Sequence, residues 1–328
     1  MTLWLSDADV RLAVDMGRMV ETIEKVLLEE HEGSITMPPR VNLMRGDTFL
    51  RLMPAYLQDS GLMGYKTFHG SMAKGVRYLI VLIRESDGEI LALVDAAYLT
   101  AARTGATSGV ATRYLAPRGP AVVGLIGSGL EAQTNLAAVA AVRPVTEVRV
   151  YSRNADRREK FTRWVGDNLG LSVRAAGSAR EALSDADMVV VATNTGLNGP
   201  VALQGEWLQA GQHVVSIGST SPLLREIDPE TFARADRVVF DAEPAQIFEE
   251  SGDLMAAPDY LRERLRSAEI LPALVAKGVI ERSDSEITLF KSVGTAAQDI
   301  AAAKAVYDVA LERGIGRDLG DLAAPKQF

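Results

Sequence analysis

The chain has 328 residues, a formal net charge of −8 and 47% hydrophobic residues, a length and apolar share that suit two globular domains. Without a basic stripe, this acidic balance argues against a nucleic-acid partner, and no apolar run approaches the ~18 residues of a membrane span. The chain has no cysteine, which removes disulfides, thiolate metal sites and a cysteine nucleophile together.

The opening MTLWLSDADV lacks the basic-then-apolar pattern of a secretory signal, so a cytoplasmic location is expected. Val14–Glu32 reads as an amphipathic helix, with Met16, Met19, Val20, Ile23, Val26 and Leu27 at helical spacing and Gly33 as the stop. The breaker MPPR (37–40) introduces an extended segment. Strands are expected over Phe49–Met53, Gly64–Phe68, Tyr78–Arg84 and Glu89–Val94, divided by turns such as Asp59-Ser60-Gly61 and Asp87-Gly88. A helix over Ala96–Tyr114 follows, and Pro117-Arg118-Gly119-Pro120 reads as a linker.

From Ala121 the pattern changes. The apolar run Ala121–Ile126 stops at Gly127-Ser128-Gly129 and restarts as the helix-compatible LEAQTNLAAVAAV. Strand, glycine turn and helix give G-x-G-x-x-A a meaning. The first glycine makes the tight turn, the second admits a pyrophosphate to the backbone, and Ala132 lets helix and strand pack closely. Gly127, Ser128, Gly129 and Leu130 are therefore candidate cofactor residues. Further strands over Glu147–Tyr151, Leu171–Arg174, Asp187–Ala192, His213–Ile217, Arg237–Phe240 and Glu286–Val293 alternate with helices, including one capped by a Ser178/Glu181 box. Such alternation predicts a parallel sheet. A last helix, about Thr295–Glu312, leads back to the first domain. The fold class is α/β: a Rossmann-type nucleotide domain over 118–295 and a β-rich α+β domain from 1–117 with 296–328.

Ligands in such sheets bind beyond the carboxyl ends of the strands, here Gly127–Leu130, Tyr151–Asn154, Thr193–Thr195, Gly218–Thr220 and Val293-Gly294. About twenty residues past the glycine turn, NAD enzymes usually place an acid on the ribose 2′-hydroxyl. This chain has Ser152, Arg153 and Asn154 there. A guanidinium and a hydroxyl suit a 2′-phosphate, which favours NADP over NAD. The other reading makes Arg153 a solvated helix-start residue, with NAD bound without the acid. In the first domain, Arg40, Lys66 and Arg103 stand at segment ends or on an otherwise apolar strand, as anion ligands or as surface charges. His31, His69 and His213 show no metal-ligand spacing, and no metal is expected.

Taken together, MPPR (37–40), the Gly64–Lys66 strand, ARTGATSG (102–109), GSGLEAQ (127–133), GSTSPLLREID (218–228) and KSVGTAAQDI (291–300) resemble the ornithine cyclodeaminase/mu-crystallin family, over nearly the whole chain and in order. The resemblance implies a β-rich domain that binds substrate and forms a homodimer interface. It also implies that Arg40, Lys66 and Arg103 hold a substrate α-carboxylate, with Lys66 acting in catalysis as well. Val293 and Gly294 match the segment beside the nicotinamide. Thr193 sits at a strand end on the cofactor side.

One departure from the family pattern matters. Where cyclodeaminases, and some alanine dehydrogenases of the family, carry a catalytic aspartate, ungapped alignment on Gly218, Pro222 and Glu226 places Thr220. Threonine is no general base near neutral pH, so ring closure of ornithine loses its base. Reduction of a preformed, protonated imine asks only for orientation, a bound carboxylate and a hydride. The resemblance implies that mu-crystallin-like ketimine reductases lack this aspartate too, and their nucleotide end resembles Ser152–Asn154. The expected function is an NAD(P)H-dependent reductase of a small α-imino acid, working in reverse as an amino-acid dehydrogenase, with Thr220 bonded to the nitrogen or to a water. The alternatives are an ornithine cyclodeaminase-type ammonia lyase using Asp228 or Glu226, and a nucleotide-dependent binding protein without turnover.

Overall fold

The structure, a computed structural model, describes residues 2–71, 73–197 and 199–326. The chain divides into two compact units, Met1–Arg103 with Thr295–Phe328, and Thr104–Gly294. The first division falls inside a helix rather than in the Pro117–Pro120 turn.

The first unit contains β1 (Leu3–Leu5), α1 (Asp7–Ala13), α2 (Met16–His31), β2 (Ile35–Thr36), β3 (Val41–Arg45), β4 (Thr48–Leu57), β5 (Leu62–Ser71), β6 (Gly75–Arg84), β7 (Ile90–Asp95) and the start of α3 (Ala97–Leu115). Asp15 caps α2 by accepting from the Arg18 amide, and Met19, Val20, Ile23, Val26 and Leu27 form its buried stripe, as their spacing predicts. Strands β4, β5 and β6 are ten residues each and antiparallel, longer than the sequence signals suggested. Pro54 reads as a strand end in sequence, yet β4 continues through it to Leu57. The alternation Met53, Ala55, Leu57 keeps one face in the core beyond the proline. The short β1 and α1 lacked a long apolar pattern, and the structure adds both.

The second unit holds β8 (Ala121–Ile126), α4 (Leu130–Val142), β9 (Val145–Tyr151), α5 (Ala155–Leu169), β10 (Val173–Ala175), α6 (Ala179–Leu183), β11 (Met188–Val191), β12 (His213–Ser216), α7 (Pro229–Arg234), β13 (Arg237–Phe240), α8 (Pro244–Glu250), α9 (Gly252–Met255), α10 (Asp259–Leu265), β14 (Glu269–Ile270), α11 (Leu271–Lys277) and β15 (Thr288–Lys291). Its sheet runs β10-β9-β8-β11-β12-β15-β13-β14, parallel throughout. Every residue of β11, β12 and β15 is buried, which is why MVVV reads as a continuous rather than an alternating apolar run. The strand order reverses between β8 and β11, the switch point where doubly wound sheets take ligands. Ser178 caps α6, but the Glu181 carboxylate turns to the Gly177 amide rather than closing a box on Ser178.

The chain then returns to the first unit with α12 (Ala296–Arg313) and β16 (Arg317–Asp318). Thr295 and Gln298 form a capping box at the start of α12. Its many alanines allow close packing against α2 and against the face of β4, β5 and β6. This placement decides what Lys66 meets.

Candidate active site

In the first unit, Lys66 lies mid-strand in β5, with Met53 of β4 and Ile80 of β6 opposite it, and is 2% exposed. An ammonium in that position needs an anion. It is provided by Asp299 on α12, whose Oδ2 is 2.6 Å from Lys66 Nζ. The other oxygen of the same carboxylate accepts from Arg103 Nε at 2.8 Å, and Arg103 Nη1 donates to Gln298 Oε1 at 3.2 Å. Asp299, fully buried, thus joins β5 to α3. Burial is the main influence on Lys66 and lowers its pKa to about 7. Asp299 opposes the shift, while the positive charges of Arg103 and Arg40 add to it. Arg40, half-buried before β3, is thereby electrostatically coupled to Lys66. Lys66 and Arg103 thus share one carboxylate, and the positive charge of Arg40 is felt at Lys66.

The sequence signals marked Arg40, Lys66 and Arg103 but missed Asp299. Within KSVGTAAQDI, no local signal distinguishes Asp299 from any first-turn acid. Only the packing of α12 on the β5 face shows otherwise. The detectable clue was a lysine in an apolar strand, which requires a buried acid somewhere in the chain.

In the second unit, Gly127 ends β8 at the switch point with φ of +124°, and a Cβ there would lie 2.2 Å from the Ala192 carbonyl oxygen. Glycine is required at this position. Gly129, the N-cap of α4, makes no side-chain cap bond and is exposed, and a Cβ there would meet nothing within 4 Å. The first-turn amides of α4 therefore sit beside the open space that a diphosphate requires, so the glycine turn fits a dinucleotide. Ser128 Oγ donates to Ser152 Oγ at 2.9 Å, linking the turn to the end of β9. Asn154 caps α5 by accepting from the Arg157 amide. Arg153 is exposed, with Nη2 donating to the Asn194 carbonyl at 3.3 Å, and Arg158 Nη1 donates to the Ser152 carbonyl at 2.8 Å. The end of β9 thus carries two guanidinium groups, and residues 152–154 contain no acid.

A buried carboxylate organises the far side of the crevice. Glu226 accepts from Ser216 Oγ at 2.7 Å, from the Gly218 amide at 2.6 Å, and from the amide and hydroxyl of Thr193, both at 3.2 Å. Lys291 Nζ lies 3.0 Å from Asp253 Oδ2 and 3.8 Å from Glu226 Oε1. Burial raises the Glu226 pKa, and the Lys291 ammonium opposes the shift. Glu226 ties the ends of β11 and β12 together, and its four donors mark it as a structural brace. Asp228 is equally committed: its Oδ1 accepts from the amides of Gly205 and Thr231 and from Thr231 Oγ1 at the start of α7. Thr220 is half-buried in the segment after β12. Asp241 accepts from Ser292 Oγ and the amides of Val293 and Gly294, fixing the strand end on which those two residues sit.

The family model for the ornithine cyclodeaminase/mu-crystallin family matches residues 2–314. A Delta(1)-pyrroline-2-carboxylate reductase of Bacillus cereus is 36% identical over 259 residues, covering 77% of this chain and 75% of the relative. An alanine dehydrogenase of Archaeoglobus fulgidus is 32% identical over 324 residues, covering 96% and 97%. Among solved structures, the Delta(1)-pyrroline-2-carboxylate reductase of Thermococcus litoralis in complex with NADH and L-proline superposes with a TM-score of 0.88 at 32% identity, covering 97% of this chain and 100% of that one.

Proposed function

The chain belongs to the ornithine cyclodeaminase/mu-crystallin family, and from that premise we propose that it is an NAD(P)H-dependent reductase of a small α-imino acid, running in reverse as an amino-acid dehydrogenase. The observation that carries this reading is the buried pairing of Lys66 and Arg103 on Asp299, together with a hydroxyl rather than a carboxylate at position 220.

Arg40 and Arg103 hold the substrate α-carboxylate, and Lys66 adds its ammonium as a point charge. A pKa of about 7 also lets Lys66 hold or release a proton near neutral pH, so it can keep the substrate nitrogen protonated. Gly127, Ser128, Gly129 and Leu130 receive the diphosphate at the start of α4. Thr193, Val293 and Gly294 border the nicotinamide, on strand ends fixed by Glu226 and Asp241. A reduced nicotinamide held by these residues would supply the hydride that imine reduction requires. Thr220 donates or accepts one hydrogen bond at the nitrogen or at a water, and takes no proton.

Two finer points belong to this reading. Arg153, Ser152 and Arg158 at the end of β9 support NADP over NAD, since a 2′-phosphate gains charge-assisted bonds where a free ribose would want an acid. The protein works as a cytoplasmic homodimer. The exposed Val41, Leu43, Met44 and Leu50 on β3 and β4 support this, because such a patch is costly to leave in water. No helix among the described residues is long and apolar enough to cross a membrane. The commitments of Asp228 and Glu226 give no support to the ammonia-lyase reading. The test is reduction of a cyclic α-imino acid with NADPH and NADH, run beside ornithine. Imine-dependent cofactor oxidation without release of ammonia from ornithine is expected.

A further inference from the structure

Residues 217–225, which carry Thr220, form neither helix nor strand. One turn closes within them, where the Leu224 amide donates to the Ser221 carbonyl at 2.9 Å. The place of Thr220 is therefore set by tethers to other groups, and these lie on both sides of it. Before Thr220, the Gly218 amide donates to Glu226 Oε1 at 2.6 Å. Ser219 Oγ donates to the Leu224 carbonyl at 2.6 Å and accepts from the Asp253 amide at 3.2 Å. After Thr220, the amides of Glu226 and Ile227 donate to Asp253 Oδ1 at 2.8 and 3.2 Å. The start of α9 packs tightly on this segment: a Cβ at Gly252 would lie 2.3 Å from the Leu224 carbonyl oxygen and 2.7 Å from that of Pro222.

Two acids, Glu226 and Asp253, thus hold the segment, and both are buried. Neighbouring buried carboxylates repel each other unless a cation joins them. Lys291, the last residue of β15, provides it. Its fully buried Nζ donates to Ser216 Oγ at 2.9 Å and lies 3.0 Å from Asp253 Oδ2 and 3.8 Å from Glu226 Oε1. Ser216 Oγ in turn donates to Glu226 Oε1 at 2.7 Å, so the ammonium reaches that acid directly and through a hydroxyl. Glu226 accepts four hydrogen bonds, from Ser216, Gly218 and both donors of Thr193. That pattern needs the ionised carboxylate, which the Lys291 charge favours against burial. A protonated carboxyl turns one oxygen into a donor and cannot keep all four.

We propose that Lys291 is a positioning residue for imine reduction: through Asp253 and Glu226 it fixes the segment that presents the Thr220 hydroxyl to the substrate nitrogen or its water. The ammonium, closed off from solvent, acts only through these partners, and no proton or electron passes through it. The inference rests on the reductase reading, which gives Thr220 a hydrogen bond but not the device that holds it in place.

The experiment is a double-mutant cycle on kcat/KM for imine reduction, with rates normalised to folded protein by cofactor titration. Lys291→Met removes the charge at similar length. It is expected to lower kcat/KM about tenfold in the unmodified chain, the scale of one hydrogen bond. In the Thr220→Ala background the same substitution is expected to cost no more than about twofold, because the hydroxyl it positions is gone. Lys291→Gln, which keeps a donor, should restore part of the loss. Ser219→Ala cuts only the link between Asp253 and Leu224, and should show a smaller loss with the same dependence on Thr220. If neither Lys291 variant folds, Ser219→Ala decides. A lesion of structure alone acts by the same factor in both backgrounds, and equal factors would overturn the inference, as would unchanged rates. Such results in a protein that reduces imines leave the reductase standing. If the unmodified protein reduces no imine, the reductase reading falls and takes the inference with it.

Discussion

Lys66 Nζ and Asp299 Oδ2 stand 2.6 Å apart with neither side chain open to solvent, and the second oxygen of that carboxylate holds Arg103. One buried acid therefore holds both Lys66 and Arg103 in place, and it raises the proton affinity of Lys66 against the larger, opposite effect of burial. Lys66 has a pKa of about 7 in the folded protein and 10.5 as its ordinary value. Substrate binding needs the ammonium form, so kcat/KM is expected to fall as pH rises through about 7. Asp299 raises the Lys66 pKa, so Asp299→Asn should move that limb to lower pH. The same substitution leaves two buried cations short of their partner and should destabilise the fold by about 3–5 kcal/mol. A pH profile paired with urea unfolding checks both. An alkaline limb that stays in place in Asp299→Asn contradicts the assignment.

The nucleotide turn gives a steric prediction. A methyl at Gly127 would meet the Ala192 carbonyl at 2.2 Å, on a backbone with φ of +124°. Gly127→Ala should abolish cofactor binding, whereas Gly129→Ala, with nothing within 4 Å, should fold normally and weaken binding only through the ligand. Fluorescence titration with NADH and NADPH separates the two cases.

Cofactor choice is tested at Arg153. Arg153→Ala is expected to weaken NADPH relative to NADH by roughly 1.5–3 kcal/mol, the range for a charge-assisted bond. Equal losses for both cofactors would show that the guanidinium does not touch the 2′-position.

Much of this architecture was legible in the sequence because its signals are local. Gly127-Ser128-Gly129 between an apolar run and a helix marked the turn, and the all-apolar β11 marked a buried strand of a parallel sheet. Asp299 and Glu226 were illegible as partners because their meaning is set by contacts across long stretches of chain, with Lys66 and with Ser216, Gly218 and Thr193.

His213 supplies a stability prediction unconnected with turnover. It is fully buried in the second unit between Thr112 and Thr288, and burial, assisted by Arg282 and Arg143, lowers its pKa from 6.5 to about 3. The neutral ring belongs to the folded state. Between about pH 3 and 6.5 the unfolded chain binds the extra proton, so this contribution is present above about 6.5 and is lost as pH falls toward about 3. Each pH unit in that window costs up to about 1.4 kcal/mol. Urea unfolding across this range should show a shallower acid slope in His213→Asn, from a lower starting stability.

The central claim is that Thr220 stands in a reductase and not in a cyclodeaminase. A hydroxyl contributes one hydrogen bond, so Thr220→Ala should cost only about 0.5–1.5 kcal/mol in imine reduction. The most direct measurement follows oxidation of NADPH and NADH with an α-imino acid while assaying ammonia and proline formed from ornithine by the unmodified protein. The account predicts imine-dependent cofactor oxidation with no ammonia and no proline from ornithine. Robust proline formation would mean that another carboxylate serves as the base, and the reductase reading would be wrong.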